Sequence, residues 1–239
     1  MNRRMYVLLG ATLGGAAVGA LATLFLPGHG SKEPAAFFTH PPVRWLAIDE
    51  SMRGHWPFLI ACILGWVLFS LYWEIAAKNA APAKSSESRV SRAIHVTLVN
   101  LALLIEIAPV RGFGRYVPAS PIVMMAGVAV EAVGLFLAIW ARRHLGRNWS
   151  GEITIKVEHQ LIRSGPYRLL RHPIYTGLLA MYAGPAIVTG EWHALLGFGM
   201  AAVAYWRKIR LEERNLEVAF GADYDAYRRD TWALVPGLY

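Results

Sequence analysis

A single cysteine in 239 residues, Cys62, leaves no partner for an internal disulfide and no cysteine-based metal site. It lies inside an apolar run, where a lone thiol serves as a small packed side chain. Charge is also scarce. Asp, Glu, Lys and Arg make up 17% of the chain against 55% hydrophobic residues, too little polar surface for a soluble domain of this length. Acidic residues are the scarcer sign, 16 against 24 basic, for a net charge of +8. The basic residues sit in short patches beside apolar segments, not on one continuous face. That excludes nucleic acid as a partner and points to topology signals and membrane lipid headgroups. No glycine-rich dinucleotide fingerprint is present, and His144 and His159 stand too far apart for a compact metal motif.

What the chain does have is long apolar runs. Residues 5–26 carry no charge and are long enough to cross about 30 Å of hydrocarbon. Residues 56–73 form a second uncharged run with tryptophan at each end, as at a membrane interface. Six membrane helices are expected, at about 5–26, 57–77, 93–110, 119–141, 174–190 and 193–207, the last two as a hairpin. The fold class is therefore all-α, a polytopic membrane helix bundle. With six crossings, the basic clusters at Arg3-Arg4, Lys78–Arg92, Arg142–Arg147 and Arg207–Arg210 fall on one side, the cytoplasmic one. The arginines before residues 5–26 also resemble a signal peptide, but the run is long for one and a retained anchor is favoured. Gly10…Gly14 and Gly15…Gly19 are small-xxx-small pairs suited to close helix packing, within the fold or between protomers.

Two cytoplasmic segments concentrate the polar chemistry. Residues 144–175 form a long loop with a turn at Ser164-Gly165-Pro166, and Pro173 suits the first turn of the next helix. Residues 207–221 read as a C-terminal helix ending near Gly221. On it, Glu213 shares an apolar face with Ile209, Leu216 and Phe220, so its carboxylate needs a partner. An intrahelical pair with Arg210 or Arg214 is the plain account; a ligand is the other. Within the apolar spans, Glu106 is expected at an interface, and Glu131 either pairs with His95 or lines a cavity.

The pattern His159-Gln-Leu161…Gly165-Pro-Tyr167…Arg171-His172-Pro173-Ile-Tyr175, followed by Glu212-Glu213-Arg-Asn-Leu216, resembles the isoprenylcysteine carboxyl methyltransferases and their phospholipid methyltransferase relatives. Phe220-Gly221…Tyr224…Tyr227…Pro236 fits the same families' C-terminal pattern. The resemblance divides the chain into an N-terminal helix pair and linker, 1–90, and a methyltransferase core, 91–239. It implies an integral membrane enzyme using S-adenosyl-L-methionine at the cytoplasmic face. His159, Leu161, Gly165, Tyr167, Arg171, His172, Pro173, Tyr175 and Glu212 would enclose that cofactor. Arg171 would take the cofactor's carboxylate, and Gly165 would let backbone approach it. Glu213 would close the pocket or act as base toward an amine, and Arg207 or Arg210 would hold an acidic acceptor. A lipophilic methyl acceptor would enter sideways from the bilayer. On this basis Glu213→Ala should abolish transfer with little unfolding.

Two other classes compete. Sterol-type reductases look like relatives of this architecture, but their arginine-histidine motif continues Asn-Tyr where this chain has Pro173-Ile174-Tyr175. A non-catalytic transporter or scaffold would place its polar groups along the crossings, not in cytoplasmic segments.

Overall fold

The computed structural model describes residues 54–78, 88–108, 113–149 and 161–237. The expected span at 5–26 with its glycine pairs, most of the 80–88 linker, and His159 lie outside the described residues. Among those described there are six α-helices, no strand, and two isolated bridges, Arg115 with Glu191 and Leu170 with Trp232. The helices are α1 (Trp56–Ala77), α2 (Arg89–Ile107), α3 (Pro121–Leu145), α4 (Pro173–Thr189), α5 (Trp192–Phe220) and α6 (Ala222–Arg229).

Local chemistry sets the boundaries. Ser88 caps α2 by accepting from the Ser91 N–H at 3.2 Å, and Ser120 caps α3 by accepting from Val123 at 3.3 Å. Pro121 and Pro173 occupy first-turn positions of α3 and α4, where a missing N–H costs nothing. Gly190, at φ +63°, ends α4 in the left-handed conformation that other residues enter at a cost.

Residues 56–77, 90–107 and 121–145 are long and apolar enough to cross a membrane. Their outward faces agree with that: Leu64, Leu68, Leu71 and Ile75 of α1 are each more than half exposed, as are Ile122, Val133 and Phe136 of α3. The protein is an integral membrane helix bundle. Small residues bring its helices together. A Cβ on Gly134 of α3 would stand 2.5 Å from the Gly177 carbonyl of α4, and one on Gly177 would stand 2.5 Å from the Gly134 carbonyl. Gly197 brings α5 equally close to α2, against Ala102 and Glu106.

Three expectations change. The span at 193–207 and the helix at 207–221 are one element, α5, because no glycine or proline interrupts Ala201–Phe220 and its residues are good helix formers. Glu106 is fully buried, not at an interface. Glu131 does not pair with His95: it is wedged between Cys62 and Gly65 of α1 and Gly184 of α4, while His95 lies against Tyr205.

Candidate active site

Three segments distant in sequence converge at the start of α4. The loop 161–172 reaches it through a short 3-10 turn, Gly165–Arg168. The C-terminal stretch runs beside that loop like an added strand. The Arg171 N–H donates to the Trp232 carbonyl at 2.8 Å, His172 to Ala233 at 3.1 Å, and Trp232 to Leu169 at 3.0 Å. Thr176 Oγ1 donates to the Leu234 carbonyl at 2.7 Å, and the Tyr227 hydroxyl to the Tyr167 carbonyl at 2.7 Å. The third segment is the middle of α5, carrying Glu212 and Glu213.

Glu213 is the hub. Arg171 Nε donates to its Oε1 at 3.0 Å, and His172 Nε2 lies 3.3 Å from the same oxygen. All three side chains are at most 7% exposed. Burial alone would raise the Glu213 pKa, but hydrogen bonds and charge from His172 and Arg171 hold it down to about 2. The partner of this carboxylate is thus the loop, not Arg210 or Arg214 on its own helix. Arg171 also donates through Nη1 to the carbonyls of Arg228 and Thr231. Through Nε it positions Glu213, and through Nη1 it ties the loop to the C-terminal stretch.

Glu212 differs. Among the described residues its buried Oε2 has no hydrogen-bond partner; it lies 3.7 Å from His172 Nδ1, and Tyr175 faces the same carboxylate. The Tyr175 ring stacks on His172 at 5.7 Å and continues to Tyr205 at 5.5 Å. A carboxylate oxygen with spare capacity beside aromatic faces suits a ligand that is cationic and carries hydroxyl donors.

Tyr167 is buried, its hydroxyl pushed well above the usual phenol range by burial. Pro173 is buried at the first turn of α4, and Leu161 is half-buried in the lead-in to the turn. Gly165 has φ +59°, but the group pressed against it is the His144 ring, which a Cβ would meet at 2.6 Å. Its missing side chain admits His144, which lies 2.9 Å from Ser164 Oγ and stacks over Tyr167. Arg207 donates to Ser91 of α2, through Nη2 to Oγ at 2.5 Å. Arg210 is exposed, over the Trp206 ring at 5.7 Å. Of the two, only Arg207 points toward the bundle. Sequence reasoning missed Thr231 and the 231–234 strap; backbone pairing between loops leaves no periodic signal.

The family profile "Phospholipid methyltransferase" matches residues 122–223, from α3 into α6. Over 83 residues the chain is 29% identical to the protein-S-isoprenylcysteine O-methyltransferase of Dictyostelium discoideum, covering 34% of this chain and 35% of that protein. It is 44% identical over 75 residues to methanethiol S-methyltransferase 2 of Bradyrhizobium diazoefficiens, covering 30% and 27%. With protein-S-isoprenylcysteine O-methyltransferase A of Arabidopsis thaliana it shares 34% identity over 116 residues, 46% of this chain and 57% of the relative. The matched stretch is therefore never two thirds of these relatives' length. Among solved structures, the eukaryotic intramembrane Ras methyltransferase, isoprenylcysteine carboxyl methyltransferase, superposes with a TM-score of 0.54 at 17% identity, over 99% of this chain and 87% of that one. The two share a fold.

Proposed function

We propose that this chain, whose residues 122–223 match the phospholipid methyltransferase profile, is an S-adenosylmethionine-dependent methyltransferase of the phospholipid and isoprenylcysteine carboxyl methyltransferase superfamily, acting on the carboxylate of a lipophilic acceptor. The observation that carries the proposal is the meeting of Arg171 and His172 with Glu212 and Glu213 beside Tyr175.

S-adenosylmethionine, when bound, supplies an electrophilic methyl group on a positively charged sulfur. The chain's residues fit such a group. The Glu212 oxygen that has no partner among the described residues is a ligand for a hydroxyl or a positive centre, and Tyr175 and Tyr167 offer ring faces. Glu213, locked by Arg171 and His172, adds fixed negative charge and ties α5 to the loop. His159 and Leu161 would complete the enclosure from the loop's leading edge. Arg207 is the cation placed to receive an acidic acceptor. An ionised carboxylate needs no base, so the chain's task is to align the acceptor and exclude water. The active site faces the cytoplasm, on the side of the basic clusters at the end of α3 and within α5.

Calorimetry on the purified chain in detergent tests this: S-adenosylmethionine should bind and NADPH should not. NADPH binding without an S-adenosylmethionine signal would favour a reductase instead, and binding of neither would favour a scaffold.

The 44% identity to a methanethiol S-methyltransferase favours a second reading, a thiol acceptor. The two separate by pH. A carboxylate acceptor is ionised throughout pH 6–8, giving a flat rate, whereas a thiol's rate rises about tenfold per unit below its pKa of roughly 8.5.

A further inference from the structure

We infer that the outer face of the C-terminal strap and its paired loop is a membrane-docking surface, with Leu169, Trp232 and Val235 resting in the headgroup layer of an anionic leaflet. The docking stands on the helix bundle's place in a bilayer; its consequence for the site rests on the methyltransferase proposal. Burial alternates along the strap. Thr231 and Ala233 are buried, while Trp232 and Val235 are 43% and 44% exposed. On the paired loop Leu169 is 54% exposed, and its carbonyl accepts from the Trp232 N–H. A strand pair with one face in water turns polar side chains outward. Here the inward Thr231 hydroxyl donates to the Tyr227 carbonyl at 2.6 Å, and a tryptophan, a leucine and a valine face out. A contiguous apolar patch of that kind marks a contact surface.

Position and charge point to lipid as the occupant. The Leu234 carbonyl accepts from Thr176 Oγ1 in the first turn of α4. The strap therefore ends where α4, expected as a bilayer segment at 174–190, begins. Tryptophan is enriched at that level of a membrane. Residues 160–176 and 231–239 contain no acid, and Asp230 is the one acid from 226 onward. Arg168 adjoins Leu169 in the chain and Arg229 precedes Trp232 by three residues, both exposed. Apolar side chains with basic neighbours are the chemistry of segments that lie in the interface of anionic membranes. The same strap supplies backbone partners to Arg171 and His172, so a leaflet that holds the strap also holds the cluster.

Spin labels read the docking on the full chain reconstituted in vesicles. Leu169→Cys and Val235→Cys each add one exposed thiol while Cys62 stays buried, and Arg214→Cys on α5 is the water-facing control. In phosphatidylcholine vesicles containing phosphatidylglycerol, labels at 169 and 235 should collide more with oxygen, which concentrates in lipid, than with a water-soluble nickel chelate. The label at 214 should do the opposite. In pure phosphatidylcholine the preference at 169 and 235 should weaken. Nickel access equal to that at 214 would put the patch in water and overturn the docking. Labels immobilised and closed to both reagents would mean that protein covers the patch, a second copy if the labels broaden one another, and would overturn a lipid occupant. A preference equal in the two vesicles would overturn the anionic requirement. Calorimetry reads the consequence: phosphatidylglycerol should tighten S-adenosylmethionine binding about fivefold in wild type, what one arginine at an anionic surface supplies, and not in Trp232→Ser. An equal gain in both would detach the patch from the site. Failure of wild type to bind S-adenosylmethionine in either vesicle is a separate result, against the methyltransferase proposal itself.

Discussion

At the scale of single residues, the cluster at the start of α4 couples stability to chemistry. Removing the Glu213 carboxylate leaves Arg171 and His172 buried without their shared partner, which costs about 3 kcal/mol or more. The expectation that Glu213→Ala would spare the fold is therefore replaced. Glu213→Gln should abolish methyl transfer and also lower the melting temperature in detergent, whereas Glu212→Gln should weaken donor binding with little change in melting. Acid should have a matching effect. The folded-state pKa of Glu213, about 2, lies below its ordinary 4.5. Its contribution is therefore complete above about 4.5 and lost as pH falls through 2. Melting temperatures between pH 6 and pH 2 should drop for wild type, with a smaller acid-dependent part in Glu213→Gln. Reading Glu213 as a carboxylate in need of a partner was possible from its apolar face on the helix. Identifying the partner was not, because Arg171 lies 42 residues earlier in the chain.

At the scale of elements, α3 and α4 depend on mutual absence of side chains. Gly134→Ala or Gly177→Ala puts a methyl group within 2.5 Å of the opposing backbone, which cannot withdraw without separating the helices. Each should destabilise by about 2 kcal/mol or more. Gly199→Ala, in the interior of α5 with nothing within 4 Å of the added Cβ, should instead be neutral or stabilise by up to about 1 kcal/mol. Chemical unfolding of the three variants side by side checks the contrast. Helix existence was legible here, since α1 to α4 all lie within four residues of their expected bounds. The continuity of α5 was less so. A change from apolar to charged composition near Arg207 marks where the helix leaves the bilayer, not where it ends.

For the whole molecule, the C-terminal strap closes the assembly. Residues 231–234 supply backbone partners to Arg171, His172 and Thr176, so truncation after Arg229 should release the loop. The expected result is loss of S-adenosylmethionine binding together with a lower melting temperature; retained binding would remove the strap from the site. The scarcity of cysteine provides a clean topology test. Cys62 is the only thiol and is buried, so Arg214→Cys adds one exposed reporter on α5 near the cluster. In oriented vesicles an impermeant thiol reagent should label it from the cytoplasmic side alone.

Length of apolar runs, placement of basic clusters and a handful of spaced polar residues were enough to specify a helical membrane protein and the two segments that carry its chemistry. Those properties follow from hydrophobic transfer and helical periodicity, which act on neighbours in the chain. Which residues are spent on one another was decided only in three dimensions. Arg171 is held by Glu213 and Gly165 is filled by His144, while among the described residues an oxygen of Glu212 is left to spare. Hydrogen-bonding capacity is finite and is allotted by distance in space, so no spacing along the chain reveals what remains for a ligand.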